Sequence, residues 1–589
     1  MEYYKPNDGN KIYLTQFSII IEDQFIYLPY SVASLWASAE KNKIVSRNEL
    51  KHIFFYREPI DNIIKKFDNP TLVGFSNYIW NENYNDILAS KIKEKYPNCL
   101  IVYGGPQVPD DQIEWYNNRK FIDVCVHQEG EITFSQILKN KKFKDIDGIT
   151  YNTGKEWIKT SPSKRIKNLD NIPSPYLLGI FDKLVRPKNL TLNAIFEFDR
   201  GCPYQCTFCD WGGTIFSKIE KINLDRIYKE IEWAGKNKID MFYSANANFG
   251  IFKKRDEDIV NKLIETNKKY SYPKSFDTSW AKNSNKFIVS LAKKLHDVSL
   301  LRKYGVSFQS LNSTVLQNIK RTNLKINDFS GVIELTKQYQ MNIMVELIVG
   351  LPGETLNSWI DNYSKLMEND NLCIESYPCT LLNNSELTKF INKYNIKYKK
   401  VKLENTEIPE YAKQIVSTDT ITSNEMTKIW QWTWCARLGH TLGITNEIVK
   451  FLFNKGYSVK EFYNNWFDFI ANSKGILNKK FNKWNVHLTS YNFQKYIFEY
   501  DYLNDIGRYK RNETLIDLKV FLETYYKQEN IDILVNLFDA YHYTPEYNYP
   551  RTINNITVTH HGMGSIKNYS SFIGLNRKNK GWQCGIVLP

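Results

Sequence analysis

Residues 197–213 read EFDRGCPYQCTFCDWGG and place Cys202, Cys206 and Cys209 within eight positions. The spacing is C-x3-C-x2-C. No fourth cysteine or histidine lies nearby, the nearest histidines in sequence being His127 and His296. A closed structural zinc site needs four ligands, so zinc would have to recruit one from another part of the chain. Plain packing cysteines fit less well still, because Arg200, Gly201, Pro203, Gln205 and Asp210 make this a polar, turn-rich loop. Cys99, Cys125 and Cys373 lie in apolar runs and read as core residues. Thiolates hold the irons of iron–sulfur clusters. Three of them suit a [4Fe–4S] cluster with one iron left open, as the vacant position of a catalytic metal is left open.

The chain that carries this loop has 589 residues, enough for two to four domains. Hydrophobic residues make up 42% and charged residues 24%, which suits folded domains rather than disorder. The net charge of +14 comes from lysines scattered in short runs such as KIKEK (91–95) and IKYKKVK (396–402). Such runs read as solvated faces, and nucleic-acid binding is not expected. The start, MEYYKPNDGNKIY, lacks a basic region followed by an apolar run, so no signal peptide is expected. No apolar stretch approaches the ~20 residues that span a bilayer. A cytoplasmic protein without a membrane partner is therefore expected, and nine cysteines do not read as a disulfide framework.

Three regions and a linker organise the chain. Residues 1–160 alternate short apolar strands, such as TLVGFS (71–76), CLIVYGG (99–105) and FIDVCV (121–126), with helical stretches. That pattern predicts a parallel sheet covered on both faces. The domain is Rossmann-like, with its ligand at the carboxyl ends of the strands. GITYNTGKEWIKT (148–160) predicts a hairpin turning at Asn152, Thr153 and Gly154. Residues 161–189, with NLDNIPSPY (168–176), read as a linker. Residues 190–390 repeat strand and helix six times, through NAIFEF (193–198), DMFYSA (240–245), SFDTSW (275–280), YGVSFQS (304–310), NIMVELIVG (342–350) and LCIESYP (372–378). Six such units predict a complete or partial TIM-type βα barrel, with its chemistry in the loops after the strands. Residues 391–589 read as a mainly α-helical domain. Trp430, Trp432, Trp434 and His440 in it read as core packing, and the glycine-rich end HHGMGSIKNYS (560–570) carries no readable pattern.

The cysteine loop, with Phe208 before its last cysteine and its place after the first barrel strand, resembles that of the radical S-adenosylmethionine superfamily. The resemblance implies that S-adenosylmethionine chelates the open iron through its amino and carboxylate groups. One electron from the cluster then breaks a C–S bond, giving a 5′-deoxyadenosyl radical that abstracts hydrogen from an unactivated carbon. Later loops resemble the superfamily's in order. VSFQSLN (306–312) matches the ribose-contacting segment through Gln309 and Ser310. ELIVGLPGET (346–355), with Glu346 and Gly350, matches the glycine-containing motif near the adenine. YPCTLLNNSEL (377–387) matches the sixth-strand segment. SANANFG (244–250) departs from the usual element that receives the cofactor's amino group, and Asn246 and Asn248 stand in that place as hydrogen-bonding candidates.

The N-terminal region resembles that of the superfamily's cobalamin-binding subgroup through LVGFSNYIWN (72–81), VYGGPQVPD (102–110) and HQEGEITF (127–134). The resemblance implies a loop of Ser76, Tyr78, Trp80 and Asn81 over the corrin. Gly104 and Gly105 would let backbone approach it, and Gly130 would leave room between the acidic pair Glu129 and Glu131. No D-x-H-x-x-G occurs, so a histidine lower ligand of that kind is missing. His127 is either an axial ligand or a hydrogen-bonding residue. The implied function is cobalamin-dependent methyl transfer to an unactivated carbon of a small molecule or peptide, with an electron donor such as flavodoxin or ferredoxin. Two alternatives stand beside it. One is a radical rearrangement, cyclisation or oxidation without methyl transfer, and the other is a non-catalytic iron–sulfur redox or binding protein. Methylthiolation would call for three further upstream cysteines, where this chain has only Cys99 and Cys125.

Overall fold

Short apolar runs bounded by turn residues suit strands buried on both faces, and the first region is built of them. The computed structural model describes residues 3–4, 9–18, 25–183, 190–212, 218–282, 285–301, 303–323, 326–341, 343–369, 372–403, 406–441, 445–485, 511–535, 551–553 and 556–558. The strands up to residue 160 are β1 (Ile12–Thr15), β2 (Phe25–Tyr27), β3 (Leu50–Phe54), β4 (Leu72–Ser76), β5 (Leu100–Gly104), β6 (Val124–Val126), β7 (Ile149–Asn152) and β8 (Trp157–Lys159). Every residue of β4 and β6 is buried. The sheet runs β3-β1-β4-β5-β6-β7-β8. Its strands are parallel from β3 to β6, and the β7–β8 hairpin is antiparallel. The hairpin turns as expected, with Gly154 N–H donating to Asn152 Oδ1 at 2.8 Å.

Counted among its parallel members, the sheet has the order 2-1-3-4-5. In a doubly wound sheet the crevice lies where the order reverses, outside the carboxyl ends of the strands. Here that point falls between β1 and β4. The loops after β4, β5 and β6 are the three stretches singled out above.

β2 breaks the expected arrangement. It lies within residues 1–160 yet pairs in parallel with β9 (Thr191–Phe196) instead of joining the first sheet. β9 is followed by β10 (Asp199–Arg200), β11 (Glu220–Lys221), β12 (Met241–Phe249) and β13 (Ser275–Trp280), and the second sheet runs β13-β12-β9-β2. β14 (Tyr304–Gln309), β15 (Ile343–Val349) and β16 (Leu372–Pro378) form a third, wholly parallel sheet. The six strands read as a barrel thus occur, each near its expected place, in two sheets.

The chain divides into two compact units. One comprises residues 1–279, 381–389 and 405–412, and the other residues 280–380, 390–404 and 413–589. The first therefore holds the N-terminal sheet, the cysteine loop and two short returns of later chain. The region after residue 390 opens on strands, β17 (Lys397–Lys402) and β18 (Tyr411–Ser417), before it becomes helical. The helix Ser423–Gly439 starts at a capping box of Thr422 and Glu425. It buries Trp430, Trp432 and Trp434, and His440 behind it is buried too. The helices Asn446–Asn454 and Val459–Asn472 follow as expected. The HHGMGSIKNYS segment lies outside the described residues.

Candidate active site

The cysteine loop leaves β9 through a two-residue strand pair, β10 with β11. The chain then turns at Gly201, whose φ of +126° is open to a residue without a side chain. Cys202 and Cys206 are buried and Cys209 is half-buried. The loop is tightened by Cys209 N–H donating to Cys206 O at 3.1 Å. Phe208 beside it is half-buried.

β12 runs alongside, and its period-2 alternation turns Ser244, Asn246 and Asn248 to one face. Asn248 Nδ2 donates to Cys202 Sγ at 3.4 Å. Asn248 Oδ1 is buried and has no hydrogen-bond partner, an acceptor beside the first cysteine awaiting a donor. Asn246 Oδ1 instead accepts from Phe198 N–H at 3.3 Å and from Ser244 Oγ. Burial, with Asp256 adding to it, pushes the neighbouring Asp199 carboxyl up to about 7. Burial and the charge of Asp110 likewise push Asp210 up to about 6.

Among the described residues, no three His, Cys, Asp or Glu side chains converge on a single metal position. A cubane cluster does not ask for that, because each cysteine binds a different iron. One short loop with three cysteines, two of them buried, and an adjacent orphaned acceptor fits a cluster with a bound cosubstrate.

The loops at the carboxyl edge of the N-terminal sheet interlock. Asn77 N–H donates to Gly104 O at 2.6 Å, and Gln107 N–H to Asn77 O at 3.1 Å. Gly105 makes this possible. Its φ is +106°, and a Cβ there would lie 2.7 Å from Asn77 O. A Cβ on Gly104 would meet only Val126, at ordinary distance. Tyr78 and Trp80 stack with ring centroids 4.4 Å apart, giving the loop after β4 a flat aromatic surface. Ser76 Oγ shares a hydrogen bond with Ser31 Oγ at 3.1 Å. Asn81 is wholly buried and ties its own loop, accepting from Tyr78 N–H and donating to Ser76 O and Phe17 O. His127 Nε2 shares a hydrogen bond with Thr150 Oγ1 at 2.8 Å, and its Nδ1 lies 3.1 Å from Asp110 Oδ1. The His127 ring holds the Asp110 carboxyl below its ordinary range.

The acidic pair after β6 has a partner that its sequence neighbourhood does not reveal. Arg200, two residues before Cys202, lies 2.9 Å from Glu129, 2.8 Å from Glu131 and 2.7 Å from Glu197. Glu129 also accepts from Ile166 N–H at 2.7 Å. Burial alone would lower the pKa of Arg200, but the carboxylates of Glu197 and Glu131 hold it well above the ordinary value. The carboxylates of Glu129 and Glu131 are thus taken up by the cysteine loop. The space beside Gly130 is filled as well, since a Cβ there would lie 3.0 Å from Leu35.

The second unit gathers the remaining candidates around β14 and β15. Gln309 sits at a bulge with φ +68°. Ser310 Oγ donates to Glu354 Oε2 at 2.8 Å, and Asn312 and Ser358 donate to the same buried carboxylate. Glu346 accepts from Ser307 Oγ and lies 3.8 Å from Lys303 Nζ. Gly350 has φ +93°, and a Cβ there would press on Met426 at 3.2 Å. Glu354, the hub of this group, is missed by reasoning from the sequence motifs. Its one sign there is an acid following two glycines in ELIVGLPGET.

A family model described as the radical SAM superfamily matches residues 196–366. The cobalamin-dependent radical SAM methyltransferase TokK of Streptomyces tokunonensis is 32% identical over 372 residues, which are 62% of this chain and 54% of that one. The 2-(S-pantetheinyl)-carbapenam-3-carboxylate methyltransferase of Streptantibioticus cattleyicolor is 30% identical, with the same coverage of both chains. The chain thus spans about half the length of each relative. Among solved structures, the cobalamin-dependent S-adenosylmethionine radical enzyme OxsB with aqua-cobalamin bound superposes with a TM-score of 0.53. The match covers 90% of this chain and 84% of that one, and at 14% identity it is a likeness of fold.

Proposed function

We propose, for a chain that belongs to the radical S-adenosylmethionine superfamily, an enzyme that methylates an unactivated carbon of its substrate with the help of cobalamin. The observation that carries this reading is one contact. Arg200 of the three-cysteine loop grips the loop after β6, at the carboxyl edge of a sheet with the order of a nucleotide- or cofactor-binding fold. The names of the two methyltransferases similar to this chain support it. Within the same reading, β9 and β12 to β16 are the strands of a partial βα barrel, and Gln309, Ser310, Glu346 and Gly350 serve the nucleoside part of S-adenosylmethionine.

When bound, the cluster supplies the electron that cleaves S-adenosylmethionine, and cobalamin carries the methyl group. The protein's own work is holding and orienting. Cys202, Cys206 and Cys209 would hold the cluster, leaving one iron open to S-adenosylmethionine. Asn248 Oδ1, buried and without a partner, accepts from the amino group of that cosubstrate. The Tyr78–Trp80 stack would offer a flat surface to the corrin, and Gly105 lets the loops after β4 and β5 interlock beside it. Burial of Cys202 and Cys206 would shield that side of a bound cluster from water. We place the enzyme in the cytoplasm, with a flavodoxin- or ferredoxin-type donor. Among the described residues no helix is long and apolar enough to cross a membrane.

The test is anaerobic reconstitution with iron, sulfide and cobalamin, followed by reduction with S-adenosylmethionine and mass spectrometry. The expected products are 5′-deoxyadenosine and S-adenosylhomocysteine, both lost in Cys206→Ala. Formation of 5′-deoxyadenosine without S-adenosylhomocysteine would favour rearrangement, cyclisation or oxidation. An assembled cluster that leaves S-adenosylmethionine intact would overturn the enzymatic reading.

A further inference from the structure

The two returns of the chain to the first unit, residues 381–389 and 405–412, have no evident reason in the sequence. Each meets one of the loops at the carboxyl edge of the N-terminal sheet. Asn384 spends its whole side-chain amide on the loop after β5. Its Oδ1 accepts from Asp110 N–H at 2.9 Å, and its Nδ2 donates to Pro106 O at 3.1 Å and Val108 O at 2.9 Å. Asn383 Nδ2 donates to the intervening Gln107 O at 2.8 Å. Residues 106, 107, 108 and 110 have left the strand ladder, and these two side chains supply partners that the ladder no longer provides. From the same return, Leu387 N–H donates to Thr207 O of the cysteine loop at 2.7 Å.

The second return meets the loop after β4. The Glu410 carboxylate is buried and accepts from Asn83 N–H at 2.7 Å and Tyr84 N–H at 3.0 Å. These amides belong to the first turn of the helix Glu82–Lys95, where N–H groups lack intrahelical partners and a negative charge is favoured. Arg57, 3.4 Å from Glu410, donates to Trp80 O. The chain of contacts from Glu410 through Arg57 thus reaches the backbone of the aromatic stack.

We infer that Asn384 and Glu410 are positioning residues: they hold the loops after β5 and β4 in the shape that receives the corrin, so that its crevice is completed by chain from beyond β16. The inference rests on the cobalamin reading above, and it adds residues that touch neither cofactor nor substrate. Because the return that carries Asn384 also binds the cysteine loop, it sets the spacing between the two cofactor sites.

The test uses the full-length, cluster-reconstituted protein and three variants. Asn384→Leu removes all three hydrogen bonds. Asn384→Asp keeps the acceptor for Asp110 N–H and loses both donations. Glu410→Gln keeps the acceptor at lower charge. Lys91→Gln, which loosens an exposed pair with Asp61, is the control. Amide hydrogen exchange across residues 105–110 is read without cobalamin, and hydroxocobalamin affinity is read by visible absorbance. In Asn384→Leu, exchange is expected to quicken about tenfold or more. The hydroxocobalamin Kd should rise in the same variant, by the factor by which the fraction of ordered loop falls. Iron content should stay that of the wild type. Asn384→Asp should follow it, and decides the matter if Asn384→Leu does not fold. In Glu410→Gln the faster exchange should appear at residues 77–84 instead. Unchanged exchange and an unchanged Kd in the Asn384 variants would overturn the inference. A wild-type protein that takes up no hydroxocobalamin would instead sink the cobalamin reading, while the exchange data still decide whether these residues position the loops.

Discussion

Replacing Arg200 with leucine should be among the most damaging single changes in the first unit, for reasons visible in its surroundings. The guanidinium is 17% exposed, and the carboxylates of Glu129 and Glu131 are 5% and 7% exposed. At an effective dielectric near 20, each such pair attracts by about 4 kcal/mol at about 4 Å. Much of that attraction only offsets the desolvation of the ions. The net loss comes from leaving buried carboxylates without a cation, which costs about 3–5 kcal/mol. For a unit of this size that corresponds to a thermal midpoint lower by about 6–10 °C. The assay is thermal unfolding of the full chain at fixed scan rate, together with iron content after anaerobic reconstitution. Arg200→Lys should lose less, since it keeps the charge and gives up the planar fork. Adding Glu129→Gln and Glu131→Gln to Arg200→Leu should recover at least about 2 kcal/mol, because only Glu197 of the three orphaned carboxylates then remains. If Arg200→Leu unfolds within about 1 kcal/mol of the wild type, as an exposed pair would allow, and reconstitutes normally, the link between the two loops carries no weight.

Three further outcomes are expected. Asn248→Leu removes the orphaned acceptor beside Cys202 and should raise the KM for S-adenosylmethionine about tenfold, the worth of one hydrogen bond, with iron content preserved; an unchanged KM excludes the contact. Gly105→Ala forces a side chain into a left-handed backbone with Asn77 O 2.7 Å away. It should cost about 1–3 kcal/mol and weaken hydroxocobalamin binding at least tenfold while cobalamin-free cleavage of S-adenosylmethionine persists, which equilibrium titration and product analysis would read separately. Burial lifts the Glu410 carboxyl from 4.5 up to about 7, against the opposing pull of Arg57 and the amides of Tyr84 and Asn83. Between those values the folded chain keeps a proton that the unfolded chain has released, so stability falls as pH rises through that window, by up to about 3 kcal/mol. Denaturation at pH 5 and pH 8 should therefore show a smaller difference in Glu410→Gln than in the wild type.

The strands of both parallel regions are legible because each is a short apolar run punctuated by turn residues, and a run like LIVYG or VCV has few other folds open to it. β2 is not. Phe25–Tyr27 is three residues long and pairs with β9, more than 160 positions away. No local periodicity records such a partner. β17 and β18 are hidden for a related reason. KYKKVK is almost wholly exposed, so it lacks the apolar alternation by which a strand is recognised. The same limit applies at the site. Cysteine spacing is a local property and can be read directly, whereas Asn384 and Glu410 act on loops more than 270 positions earlier in the chain.

Glu129 and Glu131 show how such distant partners can still be inferred. An acidic pair around a glycine at a strand's carboxyl end invites a ligand, and HQEGEITF on its own suggests one. Yet a carboxylate at a buried strand end must find a cation or strong donors, because its desolvation is otherwise too costly to sustain. EFDRGC offers the cation, Arg200, which has Glu197 three residues before it. Taken singly, each is a polar residue of its own motif. Considered together, two buried acids without a base in their own loop are met by an arginine that Glu197 of its own stretch also holds, at 2.7 Å. The contact they make, 2.9 Å from Arg200 to Glu129 and 2.8 Å to Glu131, gives these buried acids the cation that their own loop lacks. A search for uncompensated charge among strand-end loops therefore finds such supports in the order of the amino acids itself, where a search for ligand motifs finds only the ligands.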